Sequence, residues 1–388
     1  MRSTRRAFLG RLALGFVRGS PEPRTVVSVF LRGGADTLSF FVPHEDDGYH
    51  RLRPNLAVET DLDLDGFYRL HPGLEPLLPI WRDLRLGVVQ GVGSDNPTGS
   101  HFEAQDQMEK GEAFGRRLGG GWLARHLRSR AGASFTPLSA VALGKVVPES
   151  LRGAPAVSAF ETLDELSLAV PSGGDVARAL ADLYAADGTI LGIRGSETLD
   201  LLARVETLRA ETYRPDGGAE YPDDDFAAGL REIARLVKAG VGLEAAAIDL
   251  DGWDTHFVQG TTDGLAARLI DRLARGLAAF DADLAPVRER VTILVLTEFG
   301  RRTYENASLG TDHGRGFAAF AIGPTVAGGK VHGDWPGVDP DQEEGPGGLP
   351  IRIDYRSVLA EVLSKCTAGT DLDAVFPGFT PRPVGLVK

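Results

Sequence analysis

Residues 291–302 read VTILVLTEFGRR, and residues 25–36 read TVVSVFLRGGAD. Each opens on an unbroken apolar, β-branched run and then changes abruptly to charged residues and glycine. A strand with one face in water alternates apolar and polar side chains. A run that is apolar at nearly every position is a strand buried on both faces, as in a parallel sheet covered by helices. Similar runs occupy 84–92, 139–143, 243–250 and 317–322. Between them, residues 100–111, 175–186, 196–211, 223–239, 262–283 and 355–365 carry apolar side chains at helical spacing. This alternation predicts an α/β fold with three layers, α/β/α, around a mostly parallel central sheet. Residues 25–388 are expected to form one domain, with about 173–240 as a helical insertion or cap on it. Ser100 and Glu103 have the spacing of a capping box, Gly111 follows the last turn of that helix, and Asp354 is placed to cap the final one.

The chain has 388 residues with 42 Lys and Arg against 54 Asp and Glu, a net charge of −12. That balance excludes a nucleic-acid partner, which requires a basic face. A 43% hydrophobic content excludes a disordered chain and allows a sizeable core. The single cysteine, Cys366, excludes an internal disulfide, and its place in the final helix pattern reads as packed. No apolar run approaches 20 residues, so no transmembrane span is expected in the mature chain. Residues 1–24 read MRSTRRAFLGRLALGFVRGSPEPR. Their Thr4-Arg5-Arg6-Ala7-Phe8-Leu9 stretch resembles a twin-arginine export signal. It implies the twin-arginine machinery as a partner and a periplasmic or extracellular destination; the other reading is a basic start to a cytosolic protein.

In an open parallel sheet, ligands bind beyond the carboxyl ends of the strands. The residues that follow the runs are Asp36; then Ser94 to His101; then Asp254 and His256; then Glu298, Arg301 and Arg302; then Asp312, His313 and Arg315. Three of the eight histidines fall in this set, each within a few residues of a carboxylate. Oxygen and imidazole donors suit zinc, manganese, magnesium or calcium. Asp254 and His256 stand two apart in one loop and can face a single ion, with His313 closing from another. The alternative for an Asp-x-His pair is mutual hydrogen bonding. Ser100, at a helix start, reads either as a nucleophile favoured by the helix dipole or as a simple N-cap; Thr98 and Ser94 compete for the first role. Arg301 and Arg315, with Arg302, read either as an anion clamp or as solvated surface.

The stretches LRGGAD (31–36), GVGSDNPTGSHFEAQD (91–106), GWDTH (252–256), LTEFGR (296–301), GTDHGRG (310–316) and DYRSVLAEVL (354–363) resemble, nearly end to end, the twin-arginine-exported bacterial family called domain of unknown function fifteen-zero-one. That family is in turn similar to the alkaline phosphatase and sulfatase superfamily. The likeness implies an alkaline-phosphatase-like α/β/α fold and metal ligands at strand ends. It implies a metal set drawn from Asp36, Asp254, His256, Glu298, Asp312 and His313, with Ser100 as the nucleophile. One site, of Asp254, His256 and His313, is complete by this pattern. A second, of Asp36, Ser100 and Glu298, lacks an imidazole because Phe299 stands where a histidine is expected, unless Asp312 or His101 substitutes.

Two functions follow as expectations. The first is an exported, metal-dependent hydrolase of a phosphate or sulfate ester, taking a small anionic substrate, with Ser100, Arg301 and Arg315 as its catalytic groups. The alternative is a non-catalytic exported binding protein that keeps the fold with a degenerate metal site and holds a partner or a glycan.

Overall fold

The computed structural model describes residues 23–130, 133–166, 174–339 and 341–388. The twin-arginine motif therefore lies outside the described residues. The strands in chain order are β1 (Thr25–Arg32), β2 (Phe41–Pro43), β3 (Tyr68–Leu70), β4 (Leu86–Gly93), β5 (Ala140–Leu143), β6 (Ser158–Phe160), β7 (Ala245–Asp251), β8 (Val291–Thr297), β9 (Phe317–Ile322), β10 (Lys330–His332) and β11 (Ile353–Asp354). Nine of them form one sheet in the order β10-β4-β9-β8-β1-β7-β5-β6, with β11 also paired to β4. β2 and β3 make a separate antiparallel pair. β1 runs parallel to both β7 and β8 at the centre. β9 runs antiparallel to both of its neighbours, β4 and β8. The sheet is thus mostly parallel, and β4 points the same way as β8.

The apolar runs are buried on both faces, as expected. In β8, Val291, Ile293 and Val295 join one core while Leu294 and Leu296 join the other. β1 divides in the same way, with Val27, Val29 and Leu31 on one face and Val26 and Phe30 on the opposite one. The helices Asp225–Lys238 and Leu265–Asp283 cover the first face through Leu230, Ile233, Leu273 and Leu277. The helices Trp122–Ser129 and Tyr355–Cys366 cover the second through Leu123, Leu127, Val358, Val362 and Leu363. Two hydrophobic cores separated by one sheet make the three layers.

Three local expectations change. The run at 84–92 begins its strand only at Leu86, because Leu84 turns at φ 57°. Ser100 is the N-cap of the helix His101–Lys110 but makes no side-chain cap bond, so the capping box with Glu103 does not form. The expected insertion at about 173–240 divides in two. Helices Gly174–Ala186 and Ile190–Ala210 pair mainly with each other and leave Leu183, Ile190 and Leu191 exposed. Asp225–Lys238 instead belongs to the covering layer. Asp354 caps the helix Tyr355–Cys366 as expected, accepting from the Arg356 N–H, although a short helix, Leu372–Val375, follows it. Among the described residues, no helix is long and apolar enough to cross a membrane.

Candidate metal centre

Strand direction decides which loops meet. β1, β4, β7 and β8 all end at one edge, so Gly33 and Gly34, the loop 94–100, Asp254 to His256, and Glu298 to Arg301 emerge together. The antiparallel β9 begins at that edge, so the residues just before it, including Asp312 and His313, arrive there as well. Close approach at the first loop requires glycine. Gly33 has φ 119°, and a Cβ on it would stand 2.6 Å from the Asp254 amide nitrogen.

Four donors converge at this edge. Asp254 Oδ1 lies 3.0 Å from His256 Nε2, 3.3 Å from His313 Nε2 and 3.4 Å from His101 Nε2. His256 Nε2 and His313 Nε2 are themselves 2.9 Å apart. The opposite nitrogen of every ring faces an acceptor. His101 Nδ1 lies 2.8 Å from Glu298 Oε1, His256 Nδ1 3.0 Å from Asp312 Oδ1, and His313 Nδ1 2.8 Å from the Gly99 carbonyl oxygen. In the tautomer that carries the proton on the Nδ1 facing each acceptor, the Nε2 atoms beside Asp254 are free to bind an ion.

The charges around the cluster keep its carboxylates ionised. Burial alone would raise Asp254, but the bond and charge of Arg301, helped by His313 and His256, hold its carboxyl down at about 2. Burial likewise opposes ionisation of Glu298, and donation from His101 and Gln105 outweighs it, so the carboxyl sits below its usual range. Burial pushes the His313 imidazole down, towards the neutral form.

The residues singled out from the sequence take different places. Asp254, His256 and His313 lie within 2.9–3.3 Å of one another. Glu298 and Asp312 stand one bond outside them: Glu298 accepts from Gly33 N–H, His101 and Gln105, and Asp312 accepts from His256 and Asn306. Asp36 is not in the cluster. It is buried with both oxygens on the Arg53 guanidinium, at 2.6 and 3.0 Å, and Ser39 and Gln259 also donate to it. Arg301 is not an anion clamp. Its side chain is fully buried and donates to the carbonyls of Gly33, Gly34, Trp253 and Thr311 and to Asp254. Ser100 keeps its hydroxyl free of protein partners among the described residues but does not line the adjoining cleft. The residue missing from the expected metal set is His101. Its Nε2 is buried without a hydrogen-bond partner. The signal was present, since His101 begins the helix that follows a strand-end loop. Phe299, which takes the expected histidine's place, packs its ring against His101 and His313 at centroid distances of 4.9 and 4.8 Å.

Beside the cluster opens a cleft of about 330 Å³. Its lining includes His256, His313 and Phe299, the polar residues Ser94, Asn96, Thr98, Arg302 and Arg315, and the carboxylate Asp312. Arg315 donates to the Asn96 carbonyl and lies 3.2 Å from Glu344, and Arg302 lies 3.6 Å from Asp312. Arg302 Nε, Arg315 Nε and Asn96 Nδ2 are buried donors without an acceptor.

No curated protein matches the chain. Several solved structures are similar to it. The alkaline phosphatase from the Antarctic bacterium TAB5 is 11% identical, over 90% of this chain and 100% of that one, with a TM-score of 0.36. The C-terminal periplasmic domain of EcEptC from Escherichia coli, in complex with zinc, is 12% identical over 94% and 89%, with a TM-score of 0.39. The soluble domain of lipooligosaccharide phosphoethanolamine transferase A from Neisseria meningitidis is 10% identical over 92% and 91%, with a TM-score of 0.40. A family match covers residues 87–388, well over half of the chain, which therefore belongs to the family described as "Protein of unknown function (DUF1501)".

Proposed function

We propose that this chain is a metal-dependent hydrolase of phosphate or sulfate esters, with one divalent ion held by Asp254, His256, His313 and His101. The observation that supports the reading is the convergence of Asp254 Oδ1 with imidazole nitrogens of His101 and His313, all within 4.8 Å of one another, with His256 Nε2 3.0 Å from the same oxygen and His101 Nε2 buried and unpartnered. Ligands about 2.0–2.1 Å from a tetrahedral ion stand roughly 3.3 Å from one another. The three separations from Asp254, 3.0–3.4 Å, and the 2.9 Å between His256 and His313 fit that spacing. Three nitrogens and one oxygen suit zinc or a similar transition metal, and do not suit calcium or magnesium, which take oxygen ligands.

When bound, such an ion supplies Lewis acidity to an ester oxygen and lowers the pKa of a hydroxylic group. The chain's own residues do the rest. Arg302 and Arg315 bring positive charge and spare donors to the cleft, where an anionic ester is drawn in and oriented. Phe299 narrows the cleft and keeps water from one side of the cluster. Thr98 already donates to Asn96 Oδ1 at 2.7 Å, which leaves Ser94, on the cleft, and Ser100, at its edge, as the hydroxyls available for nucleophilic attack. With Asp36 paired to Arg53, the second metal site implied by the family likeness has no counterpart here. The Arg5-Arg6 motif supports export of the folded chain.

The test is elemental analysis of protein purified without added metal, followed by hydrolysis of p-nitrophenyl phosphate and sulfate. The proposal expects close to one zinc-type ion per chain and ester turnover abolished by Asp254→Ala. Absence of bound metal, or turnover unchanged in that variant, rejects it. Ser100→Ala and Ser94→Ala then separate the two hydroxyls.

A further inference from the structure

Among the described residues, only three non-glycine residues have positive φ: Leu84, Val258 and Leu309. Two of these three meet beside the metal cluster. Val258 (φ 43°) donates its N–H to the Ser308 carbonyl at 2.9 Å, and the Gln259 N–H donates to the Leu309 carbonyl (φ 55°) at 2.8 Å. A β-branched residue in this conformation is strained, and such strain persists where the surroundings impose it. What the strained pair achieves is display. Val258 is 70% exposed, Leu309 45%, and Phe257, directly after His256, 71%. The same loops are tied to the cluster itself, since Asn306 Nδ2 bonds both the His256 carbonyl and Asp312.

We infer that Phe257, Val258 and Leu309 form an apolar shelf that receives the alkyl or aryl part of the ester whose anionic head enters the adjoining cleft. This deepens the proposed function and rests on it for the position of the head group. Three observations select this occupant. The shelf begins at the residue directly after His256, which lines the cleft. It is far too small for a stable protein partner, which takes about 800 Å² from each side. Guanidinium donors in the cleft and bare apolar groups beside it match an ester with an anionic head and an apolar tail.

The test is calorimetric binding of non-hydrolysable phosphonates to the zinc-loaded full chain, comparing methylphosphonate, hexylphosphonate and inorganic phosphate. The shelf predicts hexylphosphonate binding about tenfold more tightly than methylphosphonate. In the double variant Phe257→Ser/Val258→Gly the two affinities converge. That variant removes strain at residue 258, because glycine adopts positive φ freely, so it retains the fold. Equal affinities in the unmodified chain, or a preference that survives in the variant, overturns the shelf. Binding of phosphatidylcholine vesicles, or self-association, that the variant abolishes without any chain-length preference reassigns the patch to a membrane or a second copy and also overturns it. If neither phosphonate nor inorganic phosphate binds, the ester reading itself falls, a result distinct from phosphate binding without chain-length preference.

Discussion

His256 Nε2 and His313 Nε2 lie 2.9 Å apart, and with each ring's proton on Nδ1 neither nitrogen has one to share. Asp312 claims the proton of one ring at Nδ1, and the Gly99 carbonyl claims that of the other. Two lone pairs at hydrogen-bond distance repel unless something positive lies between them. Asp254 and His101 stand beside His313, the ligand atoms of the three lying within 4.8 Å of one another. Arg301 relieves only Asp254, at 2.7 Å. A cation is the simplest resolution of this arrangement.

Removal of any one imidazole is therefore expected to lower metal affinity sharply. His101→Ala is the discriminating variant, because the family likeness does not place it in this site. Under equal chelator challenge, its metal content should fall at least tenfold, as for His256→Ala and His313→Ala. Retention of metal by His101→Ala alone would remove it from the ligand set.

The outer carboxylates should matter almost as much. Glu298 and Asp312 face the Nδ1 atoms of His101 and His256, and loss of such partners from a metal centre typically lowers metal affinity about 10- to 100-fold. Glu298→Gln and Asp312→Asn keep the shape and exchange the charge. Competition titration against a fluorescent zinc chelator measures the change. An affinity equal to that of the unmodified chain would show these carboxylates to be mere packing.

Arg301 is expected to act on the fold before it acts on chemistry. Its guanidinium ties the loops at 33–34, 253–254 and 311 together from a fully buried position. Arg301→Lys cannot reproduce a planar fork of donors. Leaving those buried carbonyls unpaired costs on the order of 3 kcal/mol. Urea unfolding should register that loss, together with weaker metal binding. Unchanged stability would mean that solvent or neighbouring groups take over those bonds.

The Asp36–Arg53 pair predicts an acid-sensitive contribution to stability. Burial alone would raise the Asp36 carboxyl, but the charge and bonds of Arg53, with Ser39 and Gln259, hold it below the ordinary 3.8. Its contribution is thus fully present above that ordinary value and is lost as pH falls through the lower folded-state value. Asp36→Asn leaves Arg53 buried without its counter-charge, at a cost of about 3–5 kcal/mol near neutrality. Unfolding followed between pH 2 and 7 should show the difference between variant and unmodified chain shrinking at the acid end. A constant difference would reject the linkage.

Burial and period made much of the architecture legible in the chain itself. VTILVL at 291–296 and TVVSVFL at 25–31 can only be strands covered on both sides, and they occupy the centre of the sheet. The short strands β6, β10 and β11 escaped notice because two or three residues show no period. Asp254, His256 and His313 were legible as a set because each closes a strand-end loop. Asp36 was misplaced because its loop position fitted equally well, and nothing in local sequence announces that Arg53 reaches its carboxylate.

Local chemistry thus determined, from the sequence alone, where the strands run and which polar residues stand at their ends, since these depend on neighbours along the chain. Only the tertiary structure decided which of those groups face one another. An antiparallel β9 brings His313 to the edge where β7 ends, the helix beginning at His101 swings its ring onto Asp254, and Arg301 is drawn inward to close the loops. Each outcome depends on strand direction and on partners that lie tens to hundreds of residues away, which no local pattern encodes.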